Sequence, residues 1–177
     1  MLAIGPLTNI AGALLVRPEL DGLIAEVVVV GGSLREGGSI PPFWPFEFNL
    51  TKDRWATKIL WTSSVPITVL PLDVLRYLPL RPIHRGNSPL SLLLSKEVDR
   101  WLMGRHWMSG GRVPAWDLGA AMWLLHPEFF TVKDSICKLS RLTRTQFGSG
   151  SRSVRVITEM NTELIWQAFT SLVNSAG

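Results

Sequence analysis

The stretch Ala25-Glu26-Val27-Val28-Val29-Val30-Gly31-Gly32 decides the fold class. A short β-branched run, apolar at every position and closed by glycines, reads as a strand buried on both faces. Such strands belong to parallel sheets covered by helices. Upstream, Leu2 to Ile4 reads as a short strand, followed by the turn Gly5-Pro6-Leu7-Thr8-Asn9 and a helix over Ile10 to Leu15 that Pro18 ends. Downstream, a loop rich in glycine, proline and aromatics runs from Ser33 to Asn49. A helix then covers Lys52 to Trp61, with Trp55 and Ile59 on one face, and a second buried strand covers Pro66 to Leu72. A proline- and glycine-bearing loop follows at Arg81 to Asn87. Helices are expected at Pro89 to Met103, Leu118 to Leu125 and Thr162 to Val173, with a strand at Val154 to Ile157. Strands separated by helices imply βαβ units, hence an α/β fold with a mostly parallel sheet flanked by helices.

Composition sets the class. With 46% hydrophobic and 18% charged residues, a chain of 177 residues can bury a core and is expected to form a single domain over 1–177. Most of the eight tryptophans belong in a core or an interface, because an indole buries a large area and has one donor to satisfy. Cys137 is the only cysteine, which excludes an internal disulfide framework and points to a reducing, cytoplasmic setting. No apolar run is long enough to span a bilayer, so no membrane partner is expected. Met1 to Val16 is apolar but lacks a basic leader, and Pro6, Thr8 and Asn9 interrupt it, so it reads as part of the fold. The net charge is +4. The basic stretch Lys133 to Arg155 matches no nucleic-acid motif and reads as a solvated face, so no nucleic-acid partner is expected.

In open α/β sheets ligands gather at the carboxyl ends of the strands. Thr8 with Asn9, the triplet Glu47-Phe48-Asn49, Asp73 and Asp117 fall at or near such ends. Carboxylates, amides and carbonyl oxygens on one rim suit a hard cation or a polyol such as ribose. Each position also has a structural reading. Thr8 or Asn9 can cap the helix at Ile10, Asn49 or Thr51 the helix at Lys52, and Asp117 the helix at Leu118. Glu47 stands apart, as a carboxylate after the apolar run Phe43-Trp44-Pro45-Phe46. In an extended segment its side chain and that of Asn49 point the same way. His84, His106 and His126 lack metal-ligand spacing, and His126 suits the carboxyl end of a helix.

Taken in order, several motifs are more specific than any one. Ala3-Ile4-Gly5-Pro6-Leu7-Thr8-Asn9-Ile10-Ala11, Val27 to Gly32, Glu47-Phe48-Asn49 with Asp53 and Ala56, Ile67 to Val74, and Trp116-Asp117-Leu118-Gly119-Ala120 followed by Leu124, Pro127 and Glu128 resemble the inosine–uridine preferring nucleoside hydrolases, in the C-terminal portion of their domain. The resemblance implies a ribonucleoside substrate, purine or pyrimidine, hydrolysed at its N-glycosidic bond to base and ribose. It also implies a calcium ion, with the Thr8 backbone carbonyl and the Asp117 carboxylate as ligands and with Glu47 and Asn49 holding ribose hydroxyls. A homo-oligomer is compatible with it.

The same resemblance implies a general-base aspartate in an Asp-x-Asp-x-Gly-x-Asp-Asp segment, which this sequence does not contain. No catalytic residue is therefore assigned, and the chain by itself is expected to be inactive, with the N-terminal part of the fold missing and calcium binding weakened. Trp116 stands where many members carry a histidine, and the loop before Glu47 departs from the family, so no base preference carries over. A non-catalytic remnant that binds nucleosides, or that folds with a partner, is the alternative. A sheet opening at Leu2 to Ile4 would also leave an apolar edge prone to self-association.

Overall fold

The computed structural model of the chain describes residues 1–35, 47–83, 88–105 and 113–175. These form two compact units, Met1–Val74 with Phe130–Met160, and Leu75–Phe129 with Asn161–Gly177. The expectations resting on Phe43 to Phe46, His84 and His106 lie outside the described residues.

The first unit is built on a six-stranded sheet: β1 (Leu2–Ala3), β2 (Val27–Val30), β3 (Ile67–Leu70), β4 (Phe130–Leu139), β5 (Thr145–Phe147) and β6 (Arg152–Met160), in the order β1-β2-β3-β6-β4-β5. The first three junctions are parallel, with Val28 facing Thr68 and Thr68 facing Arg155, while β4 runs antiparallel to both β6 and β5. The four valines of β2 are at most 1% exposed, as the sequence pattern requires of a strand covered on both sides. One face of the sheet, with Val27, Val29, Ile67 and Val69, meets Leu7, Ile10, Ala11 and Leu14 of the segment through α1 (Thr8–Val16) and Ala56, Leu60 and Trp61 of α3 (Arg54–Thr62). Each fully buried aliphatic side chain in such a layer contributes roughly 1.5–3 kcal/mol.

After a short α4 (Leu72–Leu75), the second unit is helical: α5 (Pro89–Arg105), α6 (Trp116–Leu125) and α7 (Thr162–Ser175). Ser88 caps α5 by accepting from the Ser91 amide at 3.0 Å, and its hydroxyl donates to the Val173 carbonyl of α7 at 3.0 Å. Gly119 of α6 is held close to Leu75, whose Cδ2 would lie 2.4 Å from any added Cβ. No helix among the described residues is long and apolar enough to cross a membrane.

Three expectations change. The basic region Lys133 to Arg155 contributes strands beyond Val154 to Ile157, because β4, β5 and β6 run through it. Lys133 and Lys138 are exposed on β4, so an antiparallel strand with one wet face has no continuous apolar run to reveal it. Arg152 instead turns inward, its guanidinium donating to the Ser63 and Val65 carbonyls. Arg155 binds Glu26 and the hydroxyl of Thr68, itself fully buried.

Secondly, the helix expected over Lys52 to Trp61 is interrupted. α2 (Phe48–Lys52) ends at Asp53, which caps α3 by accepting from the Ala56 amide at 3.0 Å. The buried face of α3 then carries Ala56, Thr57, Leu60 and Trp61. Trp55 is 76% exposed, with the Lys58 ammonium 5.0 Å from its ring centroid. Thirdly, the tryptophans divide. Trp61, Trp123 and Trp166 are buried, whereas Trp55 and Trp101 face solvent.

Truncating Leu60, which is 0% exposed, should lower the unfolding free energy in urea by about 2–5 kcal/mol. Trp55→Ala, losing only an exposed ring and its cation–π contact, should change it by no more than about 1 kcal/mol.

Candidate functional site

Glu47 precedes α2 in an extended conformation and then becomes its cap. Its carboxylate accepts from the backbone amides of Asn49 at 2.8 Å and Leu50 at 2.5 Å, and its carbonyl accepts from the Thr51 hydroxyl. The capping readings offered for Asn49 and Thr51 therefore fail, because the helix starts four residues earlier than Lys52. Asn49 lies inside that first turn, so cap geometry rather than strand alternation sets its relation to Glu47.

The Asn49 amide group reaches the ends of two strands. Its Nδ2 donates to the Val30 carbonyl at 2.8 Å and lies 3.5 Å from the Ile4 carbonyl. This brings the Glu47–Asn49 turn to the carboxyl ends of β1 and β2, where the sequence placed Thr8. Leu50 is fully buried behind the turn. Gly31 passes so near that an added Cβ would stand 3.1 Å from Leu50 Cγ and 3.3 Å from Glu47 Oε1. The paired glycines thus serve the approach of β2 to this turn, and Gly32 takes a positive φ of 74°.

Thr8 is the first residue of α1 and does not cap it with its side chain. Its hydroxyl donates instead to Asp53 Oδ2 at 2.7 Å, which joins the start of α1 to the cap of α3. Asp53 is the site neighbour that sequence reasoning named within the motif but gave no role. The available signal was an aspartate three residues before Ala56, a cap spacing inside what read as one helix. Asp73 is occupied structurally, its carboxylate accepting from Ser33 Oγ, Leu34 N and Arg35 N, each at 3.0 Å.

Asp117 belongs to the second unit. Ala115 is the N-cap of α6 and makes no side-chain cap bond, so Asp117 is the second helical residue rather than the cap. Loss of solvent around its carboxyl raises its pKa, and no hydrogen bond to it is present among the described residues. Beside it, the Trp116 indole Nε1 is buried without an acceptor among those residues. His126 caps the carboxyl end of α6, with Nδ1 3.0 Å from Glu128 Oε1.

A calcium ion takes about 6 to 8 oxygen ligands. The described residues contain no group of three or more acidic, histidine or cysteine side chains able to hold a metal. Thr8 and Asp117 alone are too few oxygens to fit such an ion, so no step of the chemistry is routed through it.

Burial dominates the acidity of Glu47. Although 5% exposed and bonded by two amides, which favour the ionised form, it has its pKa pushed up to about 7 by desolvation. Between its ordinary value of 4.5 and about 7 the folded chain holds a proton that the unfolded chain releases. Stability from this group is therefore full below pH 4.5, falls as pH rises towards 7 and stays low above it. The fall is about 3 kcal/mol. Unfolding in urea from pH 4.5 to 8 should show this downward slope, and Glu47→Gln should flatten it. A variant with the parent's slope would refute the assignment.

Residues 1–167 match the sequence model of the family described as inosine-uridine preferring nucleoside hydrolase. The non-specific ribonucleoside hydrolases RihC of Shigella flexneri serotype 5b (strain 8401) and of Escherichia coli O127:H6 (strain E2348/69 / EPEC) are each 33% identical over 159 residues. That is 88% of this chain and 50% of each relative, so the chain spans about half the length of the curated relatives it matches. Among solved structures, a plant nucleoside hydrolase, the PpNRh1 enzyme, superposes with a TM-score of 0.84 at 18% identity, over 98% of this chain and 61% of that one. A purine-preferring ribonucleoside hydrolase from Gardnerella vaginalis gives 0.84 at 22% identity, over 99% and 60%. These two show the fold, and the family match over residues 1–167 shows that the chain belongs to the inosine–uridine preferring nucleoside hydrolases.

Proposed function

We propose that this chain carries the ribose-recognising side of a ribonucleoside hydrolase, an enzyme that cleaves the N-glycosidic bond of purine or pyrimidine ribonucleosides to base and ribose. The observation that carries the reading is the Glu47–Asn49 turn. A buried carboxylate and a carboxamide are anchored by backbone bonds at the carboxyl ends of parallel strands, where open α/β sheets bind ligands. Asn49 spends its Nδ2 on strand carbonyls, which leaves Oδ1 to accept from a ribose hydroxyl. Glu47, with a pKa near neutrality, takes a hydroxyl hydrogen bond as acceptor when ionised and as donor when protonated. The relatives named as non-specific ribonucleoside hydrolases support the same substrate class.

In this reading Thr8, through its carbonyl, and Asp117 contribute cation ligands. A calcium ion would be held only if further oxygen ligands joined them. Glu47 and Asn49 orient the sugar, and none of the four residues is assigned to deprotonate water. Binding without turnover is the second reading, favoured by the lack of a three-residue acidic cluster among the described residues.

Calorimetric titration separates the parts of this reading. Inosine should bind more tightly than 2′-deoxyinosine, and Asn49→Ala should weaken inosine about five- to tenfold, the worth of one hydrogen bond to a buried group. Equal affinity for the two nucleosides would overturn the ribose assignment. Titrated alone, calcium should bind the chain only at millimolar concentrations, and micromolar binding would show that the oxygen count given above is too low.

A further inference from the structure

We propose that the β4–β5 hairpin is the device that holds the ribose turn in place, with Thr143 and Thr145 as positioning residues. The proposal rests on Glu47 and Asn49 being the ribose-binding residues. Leu50 follows Asn49, and both its peptide groups are engaged. Its amide donates to Glu47, while its carbonyl accepts from Thr57 Oγ1 at 2.8 Å and from Thr143 Oγ1 at 3.1 Å. The Thr143 hydroxyl also lies 2.7 Å from the Leu142 carbonyl, so one proton is shared between two acceptors.

Thr143 is the one described non-glycine residue with positive φ, at 58°, and it is fully buried. A β-branched residue is disfavoured there, where glycine or asparagine would be at ease. What threonine adds at this place is a hydroxyl aimed at Leu50. The turn that forces the conformation is tied by Ser140, whose carbonyl accepts from the Thr143 amide at 2.9 Å and whose amide donates to the Arg144 carbonyl at 2.9 Å.

Thr145 grips the other side of the site. Its hydroxyl accepts from the Ser33 amide at 2.9 Å and donates to the Ser33 carbonyl at 2.9 Å, standing in for a strand partner. Its side chain also lies over Gly32, with Oγ1 2.8 Å from where a Cβ would stand. Gly31, one residue earlier, is the residue packed on Glu47 and Leu50. Two threonines of one hairpin therefore clamp the end of β2 and the residue behind Asn49, contacts that span 112 and 93 positions of sequence.

The test compares Thr143→Val and Thr145→Val, which remove the hydroxyls at constant shape, with Thr143→Ser and Thr145→Ser, which keep them. Hydrogen exchange of the Leu50 amide reads the clamp without any ligand. It should quicken in the valine variants and stay at the parent's rate in the serine variants. Calorimetry with inosine and 2′-deoxyinosine reads the site. The ratio of their dissociation constants should shrink about fivefold in the valine variants and persist with serine. Unchanged Leu50 exchange in both valine variants overturns the clamp, whatever the ligand does. Quickened exchange with an unaltered ratio overturns the positioning role. A parent chain with no preference between the nucleosides would instead sink the ribose reading, leaving the exchange experiment to judge the clamp. Should Thr145→Val fail to fold, Thr145→Ala removes the same bonds without bulk against Gly32 and is read by the same comparison.

Discussion

Leu50 joins the apolar core of the first unit to its polar rim. Its side chain is excluded from solvent and pressed against Gly31, while its amide satisfies the Glu47 carboxylate and its carbonyl satisfies two threonine hydroxyls. A buried carboxylate is costly unless donors surround it. Here the donors are the free amides of the first helical turn, which need an acceptor in any case. One interaction thus solves two problems, and it fixes where Asn49 must stand. The short α2, too brief to be stable alone, persists because its cap and its anchor are both supplied by tertiary packing.

The sheet divides its labour along its width. Its parallel half, β1 to β3 with β6, is covered on both faces at β2 and β3 and sets out strand ends on which loops converge. Its antiparallel half is exposed along much of β4 and half-buried at β5, and its turn reaches back to those loops through threonine side chains. Polar groups tie β6 to the rest of the parallel half. Thr68 is fully buried, and its hydroxyl pairs with Glu26 and Arg155, while Arg152 closes the carbonyls of Ser63 and Val65. Unpaired, the buried Thr68 hydroxyl would cost roughly 1–3 kcal/mol. Glu47 keeps a near-neutral pKa for the same reason, since its burial is only partly offset by amides.

Much of the fold was legible in the residues themselves. The valine run of β2 and the Ile67 to Leu70 run of β3 follow from composition and periodicity, because burial on both faces leaves an unbroken apolar signature, while the family followed from the resemblance carried by the ordered motifs. Glu47 stood out as a candidate, a carboxylate beside an apolar run, and the structure gives it a structural use as the cap of α2. The helix break at Asp53 and the strands through Lys133 to Arg155 were not legible. A cap inside a helical pattern and a strand with one wet face both look, locally, like something else.

What the sequence determined by itself is therefore the α/β class, the family and the identity of the candidate residues Thr8, Glu47, Asn49 and Asp117. Only the tertiary structure decided their employment. It made Glu47 the cap and Asn49 a bridge between strand ends, took Asp73 for the Ser33 to Arg35 segment, set Thr8 against Asp53, and placed Asp117 inside the first turn of α6 rather than at its cap. The physical reason is that hydrogen-bond partners distant in sequence compete for the same few polar groups. Which of them wins depends on distances that no local pattern records.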